Sequence, residues 1–202
     1  MAVRPDASLC PQILCRRSAL GLIGAALAGP AVAETAPASA VSRRTAYSFS
    51  FPGLHGGTIT LADWTGRPIL VVNTASFCGY AGQFDTLQRL YAAFRERGLV
   101  VLGVPSNDFG GQEPGGPQET ADIAHGHGVA FPLTAKQRVV GPDAHPFYRW
   151  AAAERPRDVP RWNFHKYLVG RDGQVAAVFP TSVDPSDSRI GMAVNRELVQ
   201  EG

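Results

Sequence analysis

Two runs dominate the hydrophobic pattern of this chain. Pro68 to Asn73 (PILVVN) and Leu99 to Val104 are continuous apolar stretches rich in β-branched residues, the pattern of strands buried on both faces. Between them Phe84, Leu87, Leu90, Tyr91 and Phe94 recur at helical spacing, with Arg95 and Arg97 in the last turn and Gly98 as terminator. Strand, helix and strand in so short a span predict a βαβ unit with parallel strands and a right-handed crossover. Upstream, Tyr47 to Phe51 and Thr58 to Leu61 alternate as β-strands do and are joined by Pro52, Gly53, Gly56 and Gly57, which predicts an N-terminal β-hairpin. Downstream come a loop rich in Gly and Pro from Pro105 to Pro117, a helix around Gln118 to His125, and a helix over Ala144 to Glu154 with Phe147 and Trp150 or Ala151 inward. Phe164 to Val169 and Val175 to Phe179 flank an Asp172-Gly173 turn and read as a hairpin. A last helix carries Ile190, Val194 and Leu198 on one stripe, with Ser186 or Asp187 as its cap. The sum is an α/β fold with a mixed central β-sheet flanked by helices, in one domain over 46–202.

The first residues follow a different rule. Arg16 and Arg17 precede an apolar run from Ala19 to Ala28, then Pro30 and the small residues Ala31, Val32 and Ala33 before Glu34. Positive, then apolar, then small is the order of an export signal. The run is about ten residues, half of the roughly 20 needed to cross a bilayer as a helix, so it targets the chain without anchoring it. The paired arginines resemble a twin-arginine signal, with Ala19 and Cys15 departing from the residues usual beside the pair. The reading is therefore a signal over 1–33 cleaved after Ala33, a flexible leader over 34–45 rich in Ala, Pro, Ser and Thr, and a periplasmic destination without membrane insertion.

Composition narrows the function by exclusion. With 45% apolar and 18% charged residues the chain can bury a core, and a domain of this size needs no disulfide to do so. Nineteen basic against 17 acidic residues leave a charge of +2, too small a surplus to mark a nucleic-acid binder. Lys136 and Lys166 are the only lysines. Cys10 and Cys15 leave with the signal, so Cys78 is the mature domain's single thiol.

Cys78 stands just past the C-terminal end of the first buried strand, where open α/β sheets form their ligand crevices. The chain is expected to turn into a helix there, whose unpaired N–H groups and dipole favour thiolate over thiol, and Gly79 leaves the sulfur uncluttered. Taken alone, the position favours an inert core cysteine. A dithiol motif is excluded, because Gly79, Tyr80 and Ala81 follow. His125 and His127 fall short of the ligand count of a metal site, and Gly110 and Gly111 precede a Pro-containing turn instead of opening a phosphate-binding helix.

Three blocks change the balance. Asn73 to Tyr80 (NTASFCGY), Pro105 to Pro114 (PSNDFGGQEP) and Trp162 to Phe164 (WNF, continuing HKYLVGRDG) resemble, in order, the signature blocks of the glutathione peroxidase family, with Phe131-Pro132 and His145-Pro146 at that family's FP and HP pairs. The resemblance spans about Tyr47 to Ile190. It implies a thioredoxin-like fold and a peroxide-reducing site in which Cys78 is the peroxidatic cysteine and Gln112, Trp162 and Asn163 complete the constellation. The chemistry suits these types. A thiolate attacking a peroxide needs neutral donors that stabilise charge on the departing oxygen, which amides and an indole N–H supply without a fixed charge. Phe77 stands where many relatives carry Lys.

The resemblance also implies what completes the cycle. Many relatives place a resolving thiol on the helix before the FP pair, but Ala121 to Gly128 (ADIAHGHG) has none. Cys78 oxidised to sulfenic acid then needs an external thiol as co-substrate, glutathione or a thioredoxin-like reductant, and no metal or other cofactor. A monomer is expected, as in many bacterial relatives. The competing reading is a peroxide-sensing or redox-relay module that uses the same residues without sustained turnover.

Overall fold

The computed structural model describes residues 44–199. The export signal and most of the leader lie outside the described residues. Arg44, placed in the leader by composition, is exposed but bonded to the domain: its carbonyl accepts from the Trp150 indole at 3.0 Å.

The N-terminal hairpin pairs β1 (Ser50–Pro52) antiparallel with β2 (Thr58–Thr60). It is shorter than expected, because Ala46–Ser48 coil into a 3-10 turn in which Phe49 N–H donates to the Ala46 carbonyl at 3.1 Å. The main sheet has the order β4-β3-β5-β6, from β3 (Ile69–Thr74), β4 (Val100–Pro105), β5 (Lys166–Val169) and β6 (Val175–Phe179). β3 and β4 are parallel; β3–β5 and β5–β6 are antiparallel. The mixed sheet, the crossover helix α1 (Gln83–Phe94) and the terminal hairpin thus match the expectation. Gly98, at φ 113°, ends the turn after α1 in a conformation that favours glycine.

Strand alternation sorts the core into two layers. Ile69, Val71, Val100, Leu102, Tyr167 and Val169 face one side, where Phe51, Phe147 and Trp150 pack. Leu70, Val72, Val101 and Leu168 face the other, with Phe84, Leu87, Ile190 and Val194. α3 (Pro146–Glu154) supplies Phe147 and Trp150 to the first layer; the His145 ring caps it by accepting from Phe147 N–H at 3.3 Å, which sets its start after Ala144. α4 (Ser188–Val199) covers the second layer and is capped by Asp187, which accepts from Arg189 N–H at 2.9 Å. α2 (Pro117–Gly126) follows the long loop, with Pro117 at its first turn.

Candidate active site

The residues to be brought together sit on three segments that leave the same end of the sheet. Cys78 follows β3. Gln112 lies on the loop after β4. Trp162 and Asn163 precede β5. Asn73, the penultimate residue of β3, fastens the third segment to the first: its side-chain amide donates to the Trp162 carbonyl at 3.1 Å and its own carbonyl accepts from Phe164 N–H at 2.6 Å. Phe164 has φ 62°, the only positive φ outside glycine among the described residues. Such a backbone is uncommon for an aromatic residue, and it turns the chain sharply between Asn163 and β5.

The second segment is held by Glu113. Its buried carboxyl group accepts from Ser76 N–H at 2.6 Å, Ser76 Oγ–H at 3.0 Å and Thr120 Oγ1–H at 2.6 Å. The Asn107 side chain accepts from Glu113 N–H at 2.8 Å, closing the loop on itself. Beside this clamp the Gln112 carbonyl accepts from Phe77 N–H at 3.0 Å. Gln112 therefore lies one residue from Cys78 across a backbone hydrogen bond.

Asn163 is fully buried and directs its amide at Gln112. Its Nδ2 donates to Gln112 Oε1 at 3.0 Å and to the Phe109 carbonyl at 3.4 Å. With Oε1 engaged, the Gln112 Nε2 group is the end left to donate. Trp162 stacks obliquely on Phe109, ring centroids 6.0 Å apart. Its ring and the Gln112 side chain both lie beside Gly110, whose φ of 67° favours glycine. The three expected companions thus meet around the 109–113 loop, and the loop is bonded to the backbone beside Cys78.

The surroundings of the sulfur differ from expectation in two respects. α1 begins at Gln83, five residues after Cys78. The intervening Gly79 to Gly82 form successive tight turns, with Ala81 N–H donating to the Cys78 carbonyl at 2.8 Å and Gln83 N–H to the Tyr80 carbonyl at 2.8 Å. The helix dipole acts mainly within its first turn, so the donor that reaches the sulfur is local: Tyr80 N–H, 3.4 Å from Sγ. Nor does Gly79 have a steric reason, since a β-carbon there would meet nothing within 4 Å. The thiol is 6% exposed, whereas Phe77 (54%), Tyr80 (43%) and Trp162 (37%) are the large apolar side chains on the surface of these segments. A cavity of about 420 Å³ opens elsewhere, between Leu54, α2 and Phe131–Leu133.

Cys78 is the only cysteine among the described residues, and it is free. Within them no three His, Cys, Asp or Glu residues gather as metal ligands, and no helix is long and apolar enough to cross a membrane. Sequence reasoning did not single out Asn73, Ser76 or Glu113 as site-building residues. All three lie inside the quoted blocks, and the direct succession of Glu113 to Gln112 was the available clue.

The mixed sheet covered by helices on both faces, with Cys78 just beyond β3, is a thioredoxin-like fold. Solved structures agree: a thioredoxin family thiol:disulfide interchange protein of Chlorobium tepidum shares the fold at TM-score 0.58 and 16% identity, over 76% of this chain and 95% of that one. The glutathione peroxidase family model matches residues 46–152, and the chain belongs to that family. The hydroperoxy fatty acid reductase gpx1 of Synechocystis sp. is 40% identical over 74% of this chain and 94% of its own length. The crystal structure of Trgpx in apo form superposes at TM-score 0.65 with 32% identity, over 79% of this chain and 98% of that one. Family membership makes the protein a peroxide-reducing thiol peroxidase.

Proposed function

We propose that the protein reduces hydroperoxides through a sulfenic acid on Cys78. The thiolate attacks the terminal peroxide oxygen, the O–O bond breaks, and the departing alkoxide or hydroxide takes a proton, leaving Cys78 as sulfenic acid and an alcohol or water as product. Gln112 Nε2 and the Trp162 indole N–H are the neutral donors for charge developing on the departing oxygen. Asn163 acts through Gln112, fixing the amide so that its donor end stays available. An external thiol, glutathione or a thioredoxin-like reductant, then displaces water to form a mixed disulfide, and a second thiol releases reduced Cys78. The cycle draws on no resident cofactor. The observation that carries this reading is the pair of bonds Phe77 N–H to Gln112 carbonyl and Asn163 Nδ2 to Gln112 Oε1, which gathers three sequence segments beside Cys78.

The exposed rings of Phe77, Tyr80 and Trp162 favour an amphipathic hydroperoxide, such as a hydroperoxy fatty acid, over hydrogen peroxide. The name of the Synechocystis relative points the same way. The paired arginines and the small-residue triplet support a periplasmic destination for the mature enzyme. The test is steady-state reduction of hydrogen peroxide and of a fatty acid hydroperoxide, with glutathione and with a thioredoxin system. Sustained turnover that Cys78→Ser abolishes supports the enzyme. A single stoichiometric burst instead identifies a sensor.

A further inference from the structure

Lys136 donates to the Gly115 carbonyl at the surface, but Lys166 is fully buried. On β5, Tyr167 and Val169 face one core layer and Leu168 the other; Lys166, two residues before Leu168, shares the face that packs on α1. Lysine is almost never buried so completely unless its charge is satisfied. Its Nζ donates to Gln83 Oε1 at 2.7 Å, the Phe164 carbonyl at 2.7 Å and the Val183 carbonyl at 2.8 Å. An ammonium has three N–H groups and no lone pair, whereas the neutral amine would turn a lone pair toward one of these oxygens. Three oxygens around one nitrogen are the geometry of the charged form.

The three acceptors connect both sides of the site. Gln83 opens α1, and its backbone N–H holds the Tyr80 carbonyl two residues beyond Cys78. Phe164 is the left-handed residue directly after Trp162 and Asn163. Gln83 Nε2 also donates to the Thr181 carbonyl at 2.8 Å, and the Thr181 hydroxyl donates to the Asn163 carbonyl at 2.7 Å. The network closes beneath the site, with Lys166 at its centre.

We propose that Lys166 is a positioning residue of the peroxidase site, whose ammonium ties the segment carrying Cys78 to the strained turn carrying Trp162 and Asn163. The proposal rests on Cys78 being the peroxidatic thiol; Lys166 itself touches no reacting atom. Burial lowers its pKa to about 7, against the attraction of Asp184. Asp184, which accepts from Ser186 and Thr86, is the charged group facing it from the segment before α4. His165, its neighbour on the chain, is neutral near pH 7 because burial, with the Lys166 charge, holds it at about 4. As pH rises through neutrality the ammonium loses a proton, one of its three bonds is lost, and the turn at Phe164 is released.

The test is the second-order rate of peroxide-driven Cys78 oxidation across pH, divided by the thiolate fraction read from ultraviolet absorbance. In the wild type this quotient falls as pH rises through about 7. Gln83→Glu places a carboxylate beside Nζ and moves the fall upward by about one pH unit or more. Lys166→Met gives a quotient about 10²-fold lower in mild acid, the loss expected from slight misplacement of reacting groups, and independent of pH. If Lys166→Met does not fold, Gln83→Glu alone decides. A wild-type quotient that is flat with pH and unchanged in Gln83→Glu overturns the proposal. A wild type whose thiol survives peroxide at every pH overturns the peroxidatic reading, and the proposal with it.

Discussion

Replacing Glu113 by Ala tests whether the loop carrying Gln112 must be clamped to the segment carrying Cys78. The buried carboxyl group accepts three hydrogen bonds, two from Ser76 and one from Thr120. At about 1 kcal/mol net for each bond, Glu113→Ala loses about 3 kcal/mol and leaves Ser76 N–H without a partner. For a domain of this size that lowers Tm by roughly 6 to 12 °C. Glu113→Gln keeps the shape and one acceptor oxygen, and the two hydroxyls can rotate to accept from its amide, so its loss is about 1 kcal/mol. Because Gln112 adjoins the clamp, the alanine variant also slows Cys78 oxidation by about 10²-fold, while the glutamine variant retains most of the rate. Thermal unfolding and stopped-flow oxidation of the two variants measure both effects. If Glu113→Ala leaves stability and rate within error of the wild type, the clamp has no part in building the site.

Other consequences can be checked separately. Gln112→Ala and Trp162→Ala each slow peroxide reduction by about 10²-fold without changing the stoichiometry of thiol oxidised, as expected on removing one stabilising donor; rapid kinetics at fixed peroxide measures this. The folded-state pKa of His165 is lowered from 6.5 to about 4, chiefly by burial. The stability this confers is complete above pH 6.5 and is lost as pH falls through about 4, amounting to about 3 kcal/mol; His165→Gln removes that part of the pH dependence of urea unfolding. Phe77→Ser together with Tyr80→Ser raises KM for a fatty acid hydroperoxide several-fold and leaves hydrogen peroxide kinetics unchanged, as steady-state assays would show. Changing Arg16 and Arg17 both to Lys leaves uncleaved precursor in the cytoplasm, detectable by fractionation and immunoblotting.

Elements whose burial follows the apolar pattern were legible in the chain. The two apolar runs became adjacent parallel strands, and the stripe from Phe84 to Phe94 became the crossover helix, because each pattern reports its own solvent exposure. The quoted blocks also located the segments that converge at one end of the sheet. Legibility failed where hydrogen bonds outrank periodicity. Nothing in CGYAG announced that the helix would wait until Gln83, since the tight turns there are made by backbone bonds. Asn163 was expected as a donor to the departing oxygen, whereas its amide donates to Gln112 and Phe109. Glu113 and Lys166 resemble ordinary charged residues in a one-dimensional string; their burial depends on partners 37 and 83 positions away.

Cys78 Sγ is the proposed acceptor of the peroxide's terminal oxygen. Treating the reduced protein with one equivalent of hydroperoxide in the presence of a sulfenic acid trap, then locating the adduct by peptide mass spectrometry, tests it directly. Stoichiometric trapping on the Cys78 peptide is expected, with one alcohol formed per thiol lost. Peroxide reduction that continues in Cys78→Ser, or a thiol that stays unmodified while peroxide disappears, would contradict it.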